Sequence, residues 1–186
     1  MEPELDGKRL EMLTQAVPGL NKVGLMISRV REDYRQGSPR RRASEAVARS
    51  LNISLEFGEF DIDTAETSIS AIAARGVQGL VYPADGVSIS RRKEIADRAI
   101  SHKLPTIFAL RQNVDAGGFM SYAARLSDLS RRAAFFVDRI LKGAKPGDLP
   151  IEQPTTFELI INLRTAKALG VTPPPALLGI ADEVIE

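Results

Sequence analysis

Four short runs of residues, separated by helical patterns, are the feature that most constrains the fold of this 186-residue chain. Three are nearly continuous in apolar residues, as in strands buried on both faces of a parallel sheet. The second carries Glu56 and Glu59, which predicts a place near the sheet edge. The runs are KVGLMIS (22–28), ISLEFGEFDI (53–62), QGLVY (78–82) and LPTIFAL (104–110). This β-α-β-α-β-α-β alternation predicts an α/β fold with a doubly wound parallel sheet and helices on both faces.

The pattern changes after Leu110. We expect a loop over 111–118, a short extended piece FMSY (119–122), and an amphipathic helix over 127–141. KPGDLP (145–150) breaks that helix, FELIIN (157–162) predicts a returning strand, and the last segment, 175–186, predicts a terminal helix. The chain then divides into a leading helix and linker (1–22), an α/β lobe (23–110), a crossover segment and helix (111–150), and a returning strand with C-terminal helices (151–186).

Composition excludes several classes of function. The net charge of +1 gives no global field for nucleic acid, and no nucleic-acid partner is expected. The chain has no cysteine and one histidine, His102, so thiol chemistry and histidine-rich metal sites are excluded. Asp61, Asp63 and Glu66 fit the start of a helix better than a cation site. We expect no metal, no cofactor and no catalytic residue.

The helix starts and a basic cluster complete the local predictions. Asp6, Ser38, Thr64 and Ser90 stand where N-caps are expected. Six arginines, however, crowd the loop after the first strand and the helix that follows it. They are either a solvated surface or a site for an anionic partner. The cluster comprises Arg29, Arg31, Arg35, Arg40, Arg41 and Arg42.

Candidate binding residues follow from position alone. In an open parallel sheet, ligands bind beyond the carboxyl ends of the strands. The candidates are Ser28, which can donate and accept, Asp85, which can pair with an ammonium group, and Arg111, which can bind a carboxylate through two hydrogen bonds. Tyr122 could supply an aromatic wall with a hydroxyl group. Each could equally be a capping or loop residue.

Three segments carry a resemblance to a known family. They are GGFMSYA (117–123), the run RILKGAKPGDLPIEQPTTFELIINLRTAKALGVTPPPALL (139–178), and ADEVIE (181–186). With these, the chain resembles the ABC transporter substrate-binding proteins that bind tryptophan or related amino acids. The resemblance implies a type I periplasmic-binding-protein fold, in which two α/β lobes close on a small ligand. This chain would supply the second lobe, plus the crossover GGFMSYA and the helix 127–141 of a missing first lobe.

The resemblance implies capture of a solute without catalysis, delivery to a membrane permease, and a periplasmic or other extracytoplasmic location. The sequence as written shows no export signal, which would make it cytoplasmic if expressed in this form. It also lacks a first lobe, so we expect a truncated chain that binds weakly and needs that lobe or self-association. The alternatives are an effector-binding regulatory lobe and a flavodoxin-like α/β domain.

Overall fold

Strands that are far apart in sequence join one sheet in the computed structural model, which describes residues 2–186 and the side chains of residues 5–186. The strands are β1 (Lys22–Ser28), β2 (Ser54–Phe60), β3 (Gly79–Tyr82), β4 (Thr106–Phe108), β5 (Met120–Ala124), β6 (Phe157–Asn162) and β7 (Glu183–Ile185). Their order in the sheet is β2-β1-β3-β4-β5-β6-β7. The pair β5–β6 is antiparallel, and the other pairs are parallel.

Helices cover both faces of this sheet, as the alternation predicts. The helices are α1 (Glu2–Ala16), α2 (Pro39–Ser50), α3 (Ala65–Ala73), α4 (Gly86–Ser90), α5 (Arg92–Ser101), α6 (Arg111–Asp115), α7 (Leu126–Leu141), α8 (Leu163–Leu169) and α9 (Pro175–Leu178). One apolar cluster joins α1, α8 and α9 to the sheet. A second cluster joins α3 and α5 to the sheet. Neighbouring residues of β1 point alternately into the two clusters, so the strand is buried on both faces of the sheet.

Two glycines let α3 approach the sheet closely. A Cβ atom at Gly24 of β1 would stand 2.6 Å from Cδ1 of Ile72, and one at Gly58 of β2 would stand 2.7 Å from the same atom. The Ile72 side chain therefore occupies space that is open only because both positions are glycine.

The first four strands and the edge position of β2 agree with the sequence-based predictions. Three local predictions are wrong. Asp6 is not an N-cap, because α1 begins at Glu2 and Asp6 is a fully buried residue within the helix. The loop over 111–118 contains helix α6. Ser90 is not the N-cap of the helix that follows it, because it is the last residue of α4 and the N-cap of α5 is Arg91.

The predicted terminal helix over 175–186 is also wrong, since only Pro175–Leu178 is helical. The Asp182 backbone N–H donates to the Leu159 carbonyl, and the Asp182 carboxylate accepts from the Leu159 N–H. These bonds align the following residues as β7, where Val184 pairs with Ile161 of β6. Pairing with β6 therefore outweighs the helical spacing of the apolar residues.

The extended piece FMSY joins the same sheet as the first four strands. It opens β5, in which Met120 pairs with Ile107 of β4 and with Ile161 of β6. Helix α7 behaves differently, because none of its residues is buried. The division of the chain at 110 and 150 stays a prediction, while strands on both sides of those points share one sheet.

Candidate functional site

The carboxyl ends of β1, β3 and β4 lie side by side, because these strands are parallel neighbours. We call this border the carboxyl edge. Ser28 ends β1, Asp85 follows β3, and Arg111 follows β4. With about 4.8 Å between adjacent strands, the three chain segments lie within roughly 10 Å across the sheet. The positional rule therefore brings three of the four candidate residues to one border.

Asp85 holds the turn between β3 and α4. Its Oδ1 accepts the backbone N–H groups of Val87 at 2.7 Å and Ser88 at 2.9 Å, which caps α4. Burial raises the pKa of the Asp85 carboxyl above its ordinary value, although hydrogen bonds from Ser88 and Val87 and the charge of Arg31 act in the opposite direction. Asp85 is thus a half-buried carboxyl group at the carboxyl edge. It can accept a hydrogen bond from an ammonium group.

Ser28 faces the protein interior. Its side chain is 2% exposed, and its Oγ has no hydrogen-bond partner among the described residues. Met26 belongs to the cluster under α3 and α5, so Ser28, two residues further along the strand, faces the same helices. Its register partner on β2 is Phe60. The small hydroxyl side chain thus lies below the surface of the carboxyl edge.

Sequence reasoning missed an aromatic layer on this face. The Tyr82 ring meets Phe60 edge-on at 5.5 Å between centroids and stacks on Phe108 at 5.3 Å. Burial, and then the charge of Asp85, raise the pKa of the Tyr82 hydroxyl. That coupling connects Tyr82 electrostatically with Asp85. The only sequence signal was a tyrosine at the end of the run QGLVY.

Arg111 already has carboxylate partners. Its Nη2 donates to Oε1 of Glu183 at 2.8 Å, its Nη1 donates to the second oxygen, and Asp115 lies 3.5 Å from its Nε. The hydrogen bonds raise the pKa of Arg111 and lower that of Glu183. Arg111 also lines a cavity of 260 Å³ with Ala124 and Glu158. A carboxylate ligand would therefore compete with Glu183 for this guanidinium group.

Tyr122 lies on the opposite face of the sheet from Ser28. Its half-buried ring packs against the cluster that joins α1 to the sheet, and it stacks on Phe157 at 5.7 Å between centroids. Its carbonyl accepts a hydrogen bond from Arg9 Nε at 3.0 Å. The structure therefore brings Ser28, Asp85 and Arg111 to neighbouring strand ends and separates Tyr122 from Ser28.

The arginine cluster is largely paired within the chain. Arg35 pairs with Glu32, Arg41 with Glu45, and Arg29 with Asp61. Two further arginines, Arg31 and Arg40, share Asp33. For the five arginines other than the buried Arg40, the cluster is better interpreted as a charged surface than as a dedicated anion site. Sequence reasoning missed the buried anchor of Arg40, which is Asp6; the spacing of Asp6 and Arg9 by three residues was the available signal.

The described residues contain neither a metal-ion cluster nor a helix that could cross a membrane. No group of three or more acidic or histidine side chains among them is arranged to hold a metal ion. None of the described helices combines the length and the apolar character that crossing a membrane requires.

Comparison with known proteins gives a consistent match over the whole chain. The model of the family described as "ABC transporter substrate binding protein" matches residues 3–185. The chain is 23% identical over 170 residues to a "Tyrosine-binding protein" of Clostridioides difficile strain R20291, covering 88% of this chain and 47% of that protein. The chain thus spans about half the length of this curated relative.

Two solved structures are similar in fold. One is a Streptococcus pneumoniae "ABC domain in complex with L-Trp", with a TM-score of 0.86 at 22% identity, over 97% of this chain and 60% of that one. The other is a LacI family transcriptional regulator from Bifidobacterium animalis subsp. lactis, with a TM-score of 0.64 at 13% identity, over 86% of this chain and 59% of that one. Both likenesses concern the fold.

Proposed function

Because the chain belongs to the ABC transporter substrate binding protein family, we propose that it forms part of a binding protein that captures a small solute for a membrane permease. Such a protein works by closing around its ligand, and it catalyses no reaction. Its place of work would be outside the cytoplasm, where the solute first meets the transporter. The chain would supply one wall of the binding cleft at the carboxyl edge.

The observation that carries the proposal is the state of Asp85. Oδ1 accepts hydrogen bonds from two backbone N–H groups, and the side chain is half-buried at the carboxyl edge. A half-buried carboxylate with a raised pKa gains most from a cationic partner. We propose that the partner is the ammonium group of an amino acid. The names of the tyrosine-binding relative and of the L-Trp complex support an aromatic amino acid.

The other three candidates have more conditional roles. Arg111 would bind the ligand carboxylate only if Glu183 released part of the guanidinium group. Ser28 would contact a ligand only if the residues above it moved, since it is 2% exposed. Tyr122 would line the cleft from the other face of the sheet. We therefore rank Asp85 first.

The rest of the cleft would come from the first lobe of such a two-lobed protein. Ligand pockets bury most of a small ligand, and one wall cannot do so. We propose that the exposed helix α7 packs against that lobe or, in its absence, against another copy of the chain. Its exposed apolar side chains support this proposal; they are Leu126, Leu129, Phe135, Val137, Ile140 and Leu141. A groove of 370 Å³ between α7 and residues 152–156 adjoins them.

Ligand-detected NMR tests the binding proposal. Saturation-transfer difference spectra of L-tyrosine and L-tryptophan at millimolar concentration should show weak contact with this chain. The signal should fall in Asp85→Asn and remain in the control Asp97→Asn, which removes an exposed carboxylate paired with Lys93 on α5. Equal signals in both variants would remove Asp85 from the site. An absence of transfer from the unaltered chain, with a first lobe also supplied, would reject the amino-acid proposal.

A regulatory effector-binding lobe is the second candidate, favoured by the likeness to the LacI family regulator. Such a lobe uses the same carboxyl edge, so the geometry of Asp85 does not distinguish the two functions. Neighbouring genes for a permease and an ATPase would support transport. A DNA-binding segment encoded in frame would support regulation.

A further inference from the structure

We infer that Arg31 is a positioning residue, held by a chain of ion pairs anchored on Asp6, and that it fixes the turn presenting Asp85. This inference rests on the proposed function, because it assigns Arg31 a role in solute binding through Asp85. The chain of contacts runs from α1, through the loop after β1, to the turn after β3.

The anchor is a carboxylate inside the protein. Asp6 is 0% exposed, and its Oδ1 accepts a hydrogen bond from Arg9 Nη1 at 2.8 Å. Its Oδ2 accepts from Arg40 Nε at 2.9 Å and from the Tyr34 hydroxyl. Arg9 and Arg40 are themselves almost fully buried. These bonds fix the orientation of both guanidinium groups, because all the partners lie on packed elements.

Asp33 connects Arg40 to Arg31, because both arginines donate hydrogen bonds to its carboxylate. Arg40 Nη1 donates to Asp33 Oδ2 at 2.8 Å. Arg31 donates two hydrogen bonds to the same carboxylate, from Nε at 2.8 Å and from Nη2 at 2.7 Å. Both guanidinium groups also lie over the Tyr34 ring, at 5.5 Å for Arg31 and 4.4 Å for Arg40. A planar group held by two bonds and a ring has little freedom to turn.

Arg31, at the end of this ion-pair network that is remote from Asp6, reaches the candidate site. Arg31 Nη1 donates to the carbonyl of Ala84 at 2.6 Å, and Ala84 directly precedes Asp85. The cap bonds of Asp85 hold the turn from the α4 side, so Arg31 holds it from the other side. The opposite end of the chain of contacts also meets a candidate residue, since Arg9 Nε donates to the Tyr122 carbonyl.

The energetics favour a geometric role over a stabilising one. Burying several charges carries a desolvation penalty that their mutual attraction only partly offsets, and apolar packing would often stabilise the fold as well. An ion-pair network instead restricts the orientation of its side chains, because each guanidinium–carboxylate contact permits few geometries. Solute binding would depend on the hydrogen bond from Arg31 to the Ala84 carbonyl, because this bond holds the turn that carries Asp85.

Amide hydrogen exchange at Val87 and Ser88 tests the inference without a ligand. Both N–H groups donate to Asp85, so their exchange reports the turn itself. Loss of one charge-assisted hydrogen bond should raise their exchange rates about tenfold in Arg31→Ala. Arg31→Lys, which keeps a donor for the Ala84 carbonyl, should restore part of the protection. The control Arg35→Ala, on an exposed arginine of the same loop, should leave both rates unchanged.

Several outcomes would overturn the inference. They are unchanged rates in Arg31→Ala, an equal effect in Arg35→Ala, no recovery in Arg31→Lys, and faster exchange spread evenly over β1 and β3. Should Arg31→Ala fail to fold, Asp33→Asn serves in its place, with the same local rise expected. Amino-acid binding is then measured by NMR in the same variants. Failure of the unaltered chain to bind, with a first lobe also supplied, would reject the proposed function and leave the exchange result to decide the role of Arg31 in the turn.

Discussion

Glu183, in the last strand, accepts two hydrogen bonds from Arg111, at the start of α6, and so joins β7 to the carboxyl edge. The two residues are separated by 72 positions in sequence. Since β7 is a three-residue edge strand, this pair is one of the contacts that fasten it to the rest of the sheet. It also occupies the guanidinium group that the strand-end rule assigned to a ligand.

We predict a modest and acid-sensitive contribution from this pair. Both side chains are about two-fifths exposed, so Glu183→Gln should lower the free energy of unfolding by only about 0.2–1 kcal/mol at neutral pH. Arg111 lowers the folded-state pKa of Glu183, so the stabilisation is present above the unfolded-state pKa and disappears as the pH falls through the folded-state pKa. Urea unfolding of both proteins at neutral and acidic pH measures the difference. A difference that grows in acid would contradict the prediction.

The strands that have an apolar pattern of their own could be predicted from the sequence. A strand that forms only through pairing with distant residues could not. Buried runs identified β1 to β4, because their apolar residues face helices on both sides. The strand at Glu183 was missed, because three residues carry no periodicity and its pairing with β6 depends on distant contacts such as that of Asp182 with Leu159. The strand-end rule likewise placed Asp85 at the carboxyl edge, and its role in binding stays a prediction. The buried partners of Asp6 could not be predicted, because they depend on the packing of α1 against the loop after β1.

A methyl group at Gly24 should destabilise the fold. The added Cβ would lie 2.6 Å from Cδ1 of Ile72 and 2.7 Å from Cδ2 of Leu80. These atoms are the ends of flexible side chains, so Gly24→Ala should lower the free energy of unfolding by about 1–3 kcal/mol through overpacking. Gly147→Ala is the matched control, because no heavy atom of the described residues, its two chain neighbours aside, lies within 4 Å of its added Cβ. Urea unfolding that gave equal stability for the two variants would refute the role of close approach at Gly24.

The hydroxyl of Tyr82 should be dispensable for stability, whereas its ring should not. The hydroxyl is fully buried and has no hydrogen-bond partner among the described residues. Tyr82→Phe should therefore change the free energy of unfolding by less than about 1 kcal/mol, since no protein hydrogen bond is lost. Tyr82→Ala should cost about 3–5 kcal/mol, because it removes a ring packed between Phe60 and Phe108. A large loss in Tyr82→Phe would reveal a partner for the hydroxyl.

Helix α7 should govern association and leave the stability of the sheet unchanged. Val137 is 55% exposed and Leu141 81%, and the two lie one turn apart on the helix. Replacing both with Glu should change the free energy of unfolding by at most about 0.5 kcal/mol per site. If copies of the chain associate through α7, the dissociation constant should rise at least about tenfold, because apolar burial is lost.

Light scattering over a concentration series measures this association. Arg131→Glu is the control, because it adds the same acidic side chain at a site that is already polar and 77% exposed. Unchanged association in the double variant would exclude α7 as the contact, and a monomer at every concentration would exclude self-association of the chain.

Asp33 provides a pH test of the network that holds Arg31. Its hydrogen bonds from Arg31, followed by the charges of Arg31 and Arg40, lower its pKa from 3.8 to about 2. A lowered folded-state pKa means that the stabilisation is fully present above pH 3.8 and is lost as the pH falls through about 2. Because Asp33 is 43% exposed, we expect Asp33→Asn to lower the free energy of unfolding by only about 1 kcal/mol at neutral pH.

The difference between Asp33→Asn and the unaltered chain should therefore narrow as the solution is acidified, which urea unfolding across the acid range measures. The neighbouring Glu32→Gln is the matched control, since Glu32 is 74% exposed and pairs only with Arg35 among the described residues. It should show a smaller difference at neutral pH. A loss for Asp33→Asn that persists undiminished in acid would mean that the network stabilises the loop through packing around Tyr34, and that the charge of Asp33 contributes little.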